Sequence, residues 1–442
     1  MPGTQISDAV LRTAMPGHDG VNSSMMSAAQ ATWAIAALAT AGVIVRPWRL
    51  PEAIWAVLGA GALVVLGLLS WSDALAGGLK GTDVYLFLAG MMLLAEVARQ
   101  EGLFDWLAAF AVAHARGSPH RLFLLVYVVG TVVTVLLSND ATAVVLTPAV
   151  YAATRAAGAG PLPYLYACVF IANAASFALP ISNPANLVIF GSRMPHLTAW
   201  LAQFGVPTIV AIVSTYLMLR LVQRAALQRE RIARDAARRA LTRGGRHAAY
   251  GIAATAIVLL ACSALDLRLG LPTFICGAAT AAIILAANRE SVWPLIRHVP
   301  WGVLPLVAGL FVLVEGLVRT GVIGALTRLL AEGVAAAPTG TAWIAGLAVA
   351  IACNLMNNLP VGLIAGSVVS ADQVPAAVTG AALIGVDLGP NLSVTGSLAT
   401  ILWLVALRRE GQDVGPWQFL LVGIAVTPPA LMLALAVLLA VG

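Results

Sequence analysis

Two stretches of this chain, residues 162–191 and 376–407, are apolar over more length than one straight membrane helix needs, yet each is broken near its middle by residues that do not continue a helix. The interruptions are Pro180, Ser182, Asn183 and Pro184 in one and Asp387, Gly389, Pro390 and Asn391 in the other. A backbone broken at that depth is tolerated only where protein or a water-filled cavity satisfies its free N–H and C=O groups, so both stretches are expected to be broken helices lining an internal site. Around them lie apolar runs near 28–46, 51–70, 83–99, 200–222, 248–266, 271–287, 301–318 and 416–440. Most are of a length that spans a hydrocarbon core roughly 30 Å thick, which makes ten expected crossings. With 60% hydrophobic and 10% charged residues and a mean hydropathy of +0.92, no soluble fold can solvate such runs. The expected fold class is an all-α polytopic membrane protein.

Residues 121–155 and 340–370 carry polar centres, Ser138-Asn139-Asp140 and Asn357-Asn358, between apolar arms too short to cross twice. They are expected to be re-entrant hairpins. Stretches 102–115 and 321–336 are expected to be interfacial amphipathic helices, with Trp106 at the headgroup boundary. The halves repeat: a constant spacing of 219 carries Glu96 onto Glu315, Gly102 onto Gly321 and Asn139 onto Asn358. Further on, a spacing of 205 pairs Ser182 with Asp387, Asn186 with Asn391 and Gly191 with Gly396. The expected organisation is a disordered tail over 1–27, a first repeat over 28–222, an Arg-rich cytoplasmic loop over 223–247 and a second repeat over 248–442. Each repeat has five spans, with one re-entrant hairpin and one broken helix. Five crossings are an odd number, so the second repeat enters the membrane upside down.

With the Arg-rich loop cytoplasmic, Lys80, Arg193, Arg268, Arg319 and Arg328 fall outside and Arg12 lies in the tail, leaving 19 of the 25 basic residues inside. That bias predicts both termini outside a bacterial inner membrane. The +6 charge therefore marks topology and not a nucleic-acid surface. The first 27 residues lack the basic and apolar regions of a signal peptide. Cys168, Cys262, Cys276 and Cys353 lie in separate apolar runs, with no disulfide or metal spacing, and neither HExxH nor GxSxG occurs. Neither enzyme chemistry nor a cofactor or metal is expected.

Polar side chains at mid-membrane depth cost about 2.5 kcal/mol or more when charged, and they persist where they line a cavity or bind something. Four clusters qualify: Ser138, Asn139, Asp140 and Thr142; Ser182, Asn183 and Asn186; Asn357 and Asn358; and Asp387, Asn391, Ser393 and Thr395. Amides and hydroxyls around helix breaks make a hydrogen-bonding basket for a small polar solute. No Arg or Lys lies in any cluster, which favours a neutral or cationic solute over a carboxylate. Asp140 and Asp387 are the ionisable groups of the basket and the first candidates to carry protons. Glu96 and Glu315 are the second pair, although Arg99 and Arg319 stand at helical-neighbour spacing and make ion pairing the expected role.

The strings LLSNDATAVVLTP (136–148), ALPISNPANLVIFG (178–191), NLMNNLPVGLIAG (354–366) and DLGPNLSVTGSLATILWLVALRREG (387–411) resemble the ArsB-type arsenite permeases of the ion transporter superfamily. The resemblance runs from about residue 28 to the end. It implies efflux of trivalent arsenite and antimonite, as neutral hydroxides, in exchange for protons, with optional coupling to a cytoplasmic ArsA-type ATPase and with a homodimer as the assembly to test. Dicarboxylate carriers of the superfamily have Ser-Asn-Thr at both tips; here Asp140 and Asn357-Asn358 replace that pattern. The alternative within the superfamily is a sodium/proton antiporter using Asp140, Asp387 and carbonyls at the breaks. A remote alternative is a membrane enzyme or non-transporting protein, for which no nucleophile–base or metal constellation is visible.

Overall fold

The computed structural model describes residues 18–230, 232, 240–370 and 374–441, with side chains from Ala28 onward except Arg49 and Ser192. Among them there is no strand. The first half contains α1 (His18–Val45), α2 (Glu52–Val65), α3 (Trp71–Leu79), α4 (Thr82–Gln100), α5 (Leu103–Ala115) and α6 (Pro119–Leu136). A hairpin tip follows as α7 (Asn139–Ala141), a π turn over Thr142–Leu146 and α8 (Thr147–Ala156); then come α9 (Leu162–Ala174), α10 (Pro184–Phe190) and α11 (Leu197–Val222). A short α12 (Arg224–Arg229) leads to the second half: α13 (Arg243–Ala264), α14 (Gly270–Asn288), α15 (Val292–His298), α16 (Val303–Arg319), α17 (Val322–Ala336), α18 (Pro338–Met356), α19 (Asn358–Val369), α20 (Ala376–Leu388), α21 (Leu398–Arg409) and α22 (Pro416–Val441).

The chain is an all-helical, multi-pass membrane protein. Among the described residues, seven helices are long and apolar enough to span a bilayer, or nine if the bent pairs α3–α4 and α15–α16 each count as one span. These differ in part from the ten expected. The run 51–70 yields only the 14-residue α2, about 21 Å long, because Gly67 at φ 69° turns the chain. The first arms of the hairpins, α6 and α18, are 18 and 19 residues and long enough to cross, whereas the return arms are short. Helix α1 begins at His18, inside the stretch expected to be disordered; residues 1–17 lie outside those described. Part of the Arg-rich loop is also helical, since α12 covers 224–229 and α13 starts at Arg243, capped by the Thr242 hydroxyl, which accepts from the Gly245 N–H at 2.8 Å. Residues 231 and 233–239 of that loop lie outside the described part.

Helix ends keep the 219 spacing up to the hairpin tips: Pro119 and Pro338 each open a first arm, and Gly102 and Gly321 take φ 71° and 82° to turn the chain into α5 and α17. Past the tips the helices follow a spacing of 214, with Leu162–Ala174 matching Ala376–Leu388 and the N-cap Asn183 matching the N-cap Ser397. The expected spacing of 205 is therefore displaced. It aligned the Asn-Leu and Gly-Ser pairs, but Asp387 closes an intact helix while Ser182 sits in the broken segment.

Two packing groups result. One contains α1–α4 with α13–α16, where α4 lies along α14 and α2 along α16; the other contains α5–α11 with α17–α22. They meet where α4 touches α5 and α10, where α16 touches α17 and α19, where α13 touches α5, α6 and α11, and where α1 touches α18. The first group depends on glycine: a Cβ on Gly277 would lie 2.4 Å from the Gly90 carbonyl oxygen, and one on Gly309 would lie 2.7 Å from the Ala56 carbonyl carbon. Lipid offers no hydrophobic drive to join helices, so close backbone approach supplies the contact. Gly277→Leu is expected to abolish recovery of monodisperse protein from membranes, checked by fluorescence-detected size-exclusion; a normal profile would refute the tight crossing. The second group is held by aromatic rings. Tyr166, Phe170, Trp403 and Phe419 pack together at centroid distances of 5.5 to 6.2 Å, with Phe170 and Phe419 stacked and Trp403 edge-on to Phe419, and the Trp403 indole donates to the Leu165 carbonyl at 3.0 Å.

Candidate functional site

The hairpin tips and helix breaks start short helices inside the protein, where no water caps the first N–H groups, and side chains take that role. The Ser138 hydroxyl accepts from the Ala141 N–H at 3.2 Å, and the Asn139 side-chain oxygen accepts from the Asp140 N–H at 2.9 Å. Asn183 opens α10 by accepting from the Ala185 N–H at 3.0 Å. Asn357 opens α19 by accepting from the Leu359 N–H at 3.3 Å, and its amide donates to the Thr395 carbonyl at 3.2 Å.

The two tips converge on one point. Asn139, Asp140, Asn183, Pro184, Asn358 and Leu359 enclose a space of about 10 Å³ together with Leu88, Val303 and Leu398, roughly the room that one water needs. Asn139, Asn183 and Asn358 are each 2% exposed, and the Asn358 side-chain oxygen is enclosed with no hydrogen-bond partner. This space adjoins a cavity of about 790 Å³ that shares Leu88, Asp140, Pro184 and Val303 with it. Glu96, Arg99, Arg297, His298, Arg409 and Glu410, all from helix ends, line its charged part, and Ser138 also faces it. Asp140 thus stands where a wide cavity, charged on one part of its wall, narrows to the meeting point of the tips. No hydrogen bond or ion pair to its carboxylate occurs among the described residues.

Asp387 lies behind this point and lines neither space: its Oδ1 accepts from the Asn183 amide at 2.6 Å, and its Oδ2 is enclosed and unpartnered. Several expected solute contacts hold backbone instead. The Ser182 hydroxyl donates to the Val135 carbonyl, the Asn186 amide to the Ser176 and Leu179 carbonyls, the Asn391 amide to the Phe170 carbonyl, and the Thr142 hydroxyl pairs with that of Thr134. Ser393 and Thr395 bond to Asn354, the former by its hydroxyl to Oδ1 at 2.8 Å. The reason is local: at a break the nearest polar side chains are the ones that reach the freed main-chain groups. Asn173, Asn354 and Thr400 escaped the sequence reading. The Asn173 amide donates to Asn391 at 2.9 Å and to Thr400 at 3.3 Å, tying the two halves together. Asn173 is a lone amide in the apolar run 162–175, whereas Asn354 and Thr400 lie three residues from the polar positions Asn357 and Ser397, so proximity to those clusters was the available signal.

The acidic pair is ion-paired, as its spacing predicts. Glu96 accepts from Arg99 at 2.5 and 2.8 Å and from Gln100 at 2.7 Å. Glu315 is held chiefly by Lys80 at 2.6 Å, a partner 235 residues away that no local spacing could disclose, with Arg319 at 3.7 Å. The absence of Arg and Lys from the polar clusters holds at the narrow point but not in the cavity leading to it. There three arginines stand among Glu96, Asp105 and Glu410, with Asp140 at the inner end. The cysteines are all free and lie on α9, α13, α14 and α18. Among the described residues no group of three His, Cys, Asp or Glu could hold a metal.

Residues 33–385 match the family described as CitMHS, citrate transporter. Over 426 residues the chain is 28% identical to an uncharacterized transporter of Mycobacterium tuberculosis, covering 91% of this chain and 96% of that one. It is 29% identical over 418 residues to an arsenical pump membrane protein of Escherichia coli strain K12, covering 90% and 95% respectively. The crystal structure of the YdaH transporter of Alcanivorax borkumensis, described as having an unusual topology, superposes with a TM-score of 0.56 at 15% identity, over 84% of this chain and 87% of that one. The sequence likeness to arsenical pump proteins is thus found over most of the chain, and the fold is that of a solved transporter.

Proposed function

This chain belongs to the CitMHS, or citrate transporter, family and is a secondary transporter, and from that premise we propose that it exports trivalent arsenite and antimonite, as their neutral hydroxides, in exchange for protons. The observation that carries the reading is the set of groups at the narrow point: three carboxamides and one carboxylate, with no cation. A tricarboxylate brought there would meet Asp140 without a compensating arginine, whereas a neutral trihydroxide offers hydroxyls that can donate to the unpartnered Asn358 oxygen and accept from the Asn139 amide. The space is too small for that solute as it stands, so loading requires the tips to part. Arg99, Arg297 and Arg409 all belong to the side expected to be rich in arginine, and in this reading the mouth of the wide cavity faces the cytoplasm.

Expression in an arsenite-sensitive bacterium is expected to confer resistance to arsenite and antimonite with lowered cellular arsenic. Unchanged accumulation despite verified membrane insertion would exclude the proposal. Thiolate capture is the rival chemistry for trivalent arsenic. Since the four cysteines do not line the narrow point, replacing Cys168, Cys262, Cys276 and Cys353 together by Ser or Ala is expected to leave the transport rate within about threefold of wild type, the usual context spread of small perturbations at well below 1 kcal/mol. A folded but inactive variant would overturn hydroxyl recognition.

A further inference from the structure

The spacing of 214 that relates the helices past the tips carries Asn173 onto Asp387, each one residue before the end of its helix, α9 or α20. The same spacing carries Asn183 onto Ser397 and Pro184 onto Leu398. The matched residues Asn173 and Asp387 make matched contacts, each with the opposite half. Asp387 accepts from Asn183, the N-cap of α10, at 2.6 Å. Asn173 donates to Asn391 at 2.9 Å and to the Thr400 hydroxyl at 3.3 Å, which in turn pairs with Ser397, the N-cap of α21, at 2.8 Å. Both are fully buried, and in each the remaining polar atom, Oδ1 of Asn173 and Oδ2 of Asp387, is enclosed with no hydrogen-bond partner. Each helix that ends at a break thus reaches across to the start of the helix that follows the other break. Those starts shape the narrow point, because Asn183, Pro184 and Leu398 all line it.

We propose that Asn173 and Asp387 are positioning residues, two equivalent cross-braces that hold the starts of α10 and α21 at the spacing the narrow point requires, and that Asp387 acts there by its acceptor oxygen and not by its charge. The first half reaches across with a carboxamide, which carries no charge, so a brace at this place needs hydrogen bonding alone. Asp387 meets one donor, Asn183, and has no opening to the wide cavity, whereas Asp140 lines it. The kinetic readout of the braces rests on the transport reading above.

The test compares Asp387→Ala, Asp387→Asn and Asn173→Ala in the full chain, each checked for monodisperse recovery. In everted vesicles under a pH gradient, Asp387→Ala and Asn173→Ala should raise the apparent KM for arsenite at least about fivefold, the lower end of what an unpaired buried polar group costs, with kcat changed less. Asp387→Asn keeps an acceptor for the Asn183 amide and should recover the KM lost in Asp387→Ala. If Asp387→Asn were as impaired as Asp387→Ala, the carboxylate itself would be needed and the assignment would fall. An unchanged KM in Asn173→Ala would overturn the equivalence of the braces. Melting temperatures supply an arm that needs no solute: Asp387→Ala with Asn183→Ala, and Asn173→Ala with Thr400→Val, should each shift the melting point less together than the sum of the single changes. Additive shifts would exclude the braces, while coupled shifts in a protein that moves no arsenite would keep them and remove arsenite as the solute.

Discussion

Replacing Asp140 by Asn is expected to reduce arsenite uptake into everted vesicles, driven by an imposed pH gradient, to the level of vesicles lacking the protein. Asp140 is the ionisable side chain at the narrow point, it joins that point to the wide cavity, and its carboxylate has no cation or amide partner among the described residues. Asparagine keeps the shape and the hydrogen-bonding capacity but cannot take up and release a proton. Solute exchange at equilibrium, with no gradient, should persist in the same variant, which separates lost coupling from lost binding. Retained gradient-driven uptake would remove Asp140 as the carrier and leave Asp387, which accepts from the Asn183 amide, as the next group to neutralise. If Asp387→Asn stayed active too, Glu96 and Glu315 would remain.

Asn139→Ala and Asn358→Ala should weaken arsenite and antimonite transport to similar degrees, seen as a raised apparent KM with protein levels near wild type. The tips bring both residues to the same small space. The Asn358 oxygen is enclosed without a partner, so a solute hydroxyl would satisfy it. The Asn139 oxygen already accepts from the Asp140 N–H, which leaves its amide as the free donor. Truncating either leaves partners unpaired in a low-dielectric space at about 1–3 kcal/mol. That is roughly 5- to 150-fold in affinity, since each 1.4 kcal/mol is tenfold. A silent variant at one tip beside a dead one at the other would mean that the matched asparagines reflect the duplication and not a shared contact.

Much of this was legible in the sequence for a plain physical reason: apolar length and buried polar residues are costly enough to leave marks. The hairpin tips, both breaks and the equivalence of Asn139 with Asn358 follow from those marks, because an amide at such depth has few uses. Pairings across the fold left no comparable trace. Lys80 on Glu315 and Asn173 on Asn391 join residues more than two hundred positions apart. Spacing was also a poor guide inside the second break. Identity of residue type aligned Asn186 with Asn391, whereas the helices align Asn183 with Ser397, since a cap can be any short side chain with an acceptor. What no pattern could disclose is the division between side chains that face the narrow point and those that hold its walls.

The two tips, alike in sequence position, differ in backbone. Ser138 enters the first in an extended conformation at φ −174°, while Asn357 enters the second at φ 75° and ψ 152°, a region that glycine occupies freely and a side chain does not. Such a residue costs about 1–3 kcal/mol. Two conformations of a carrier are commonly separated by only a few kcal/mol. A penalty of that size, carried in one orientation and shed in the other, suffices to decide which way an empty carrier rests. A duplicated architecture that is indifferent to direction would thereby acquire a preferred idle posture from a single peptide unit.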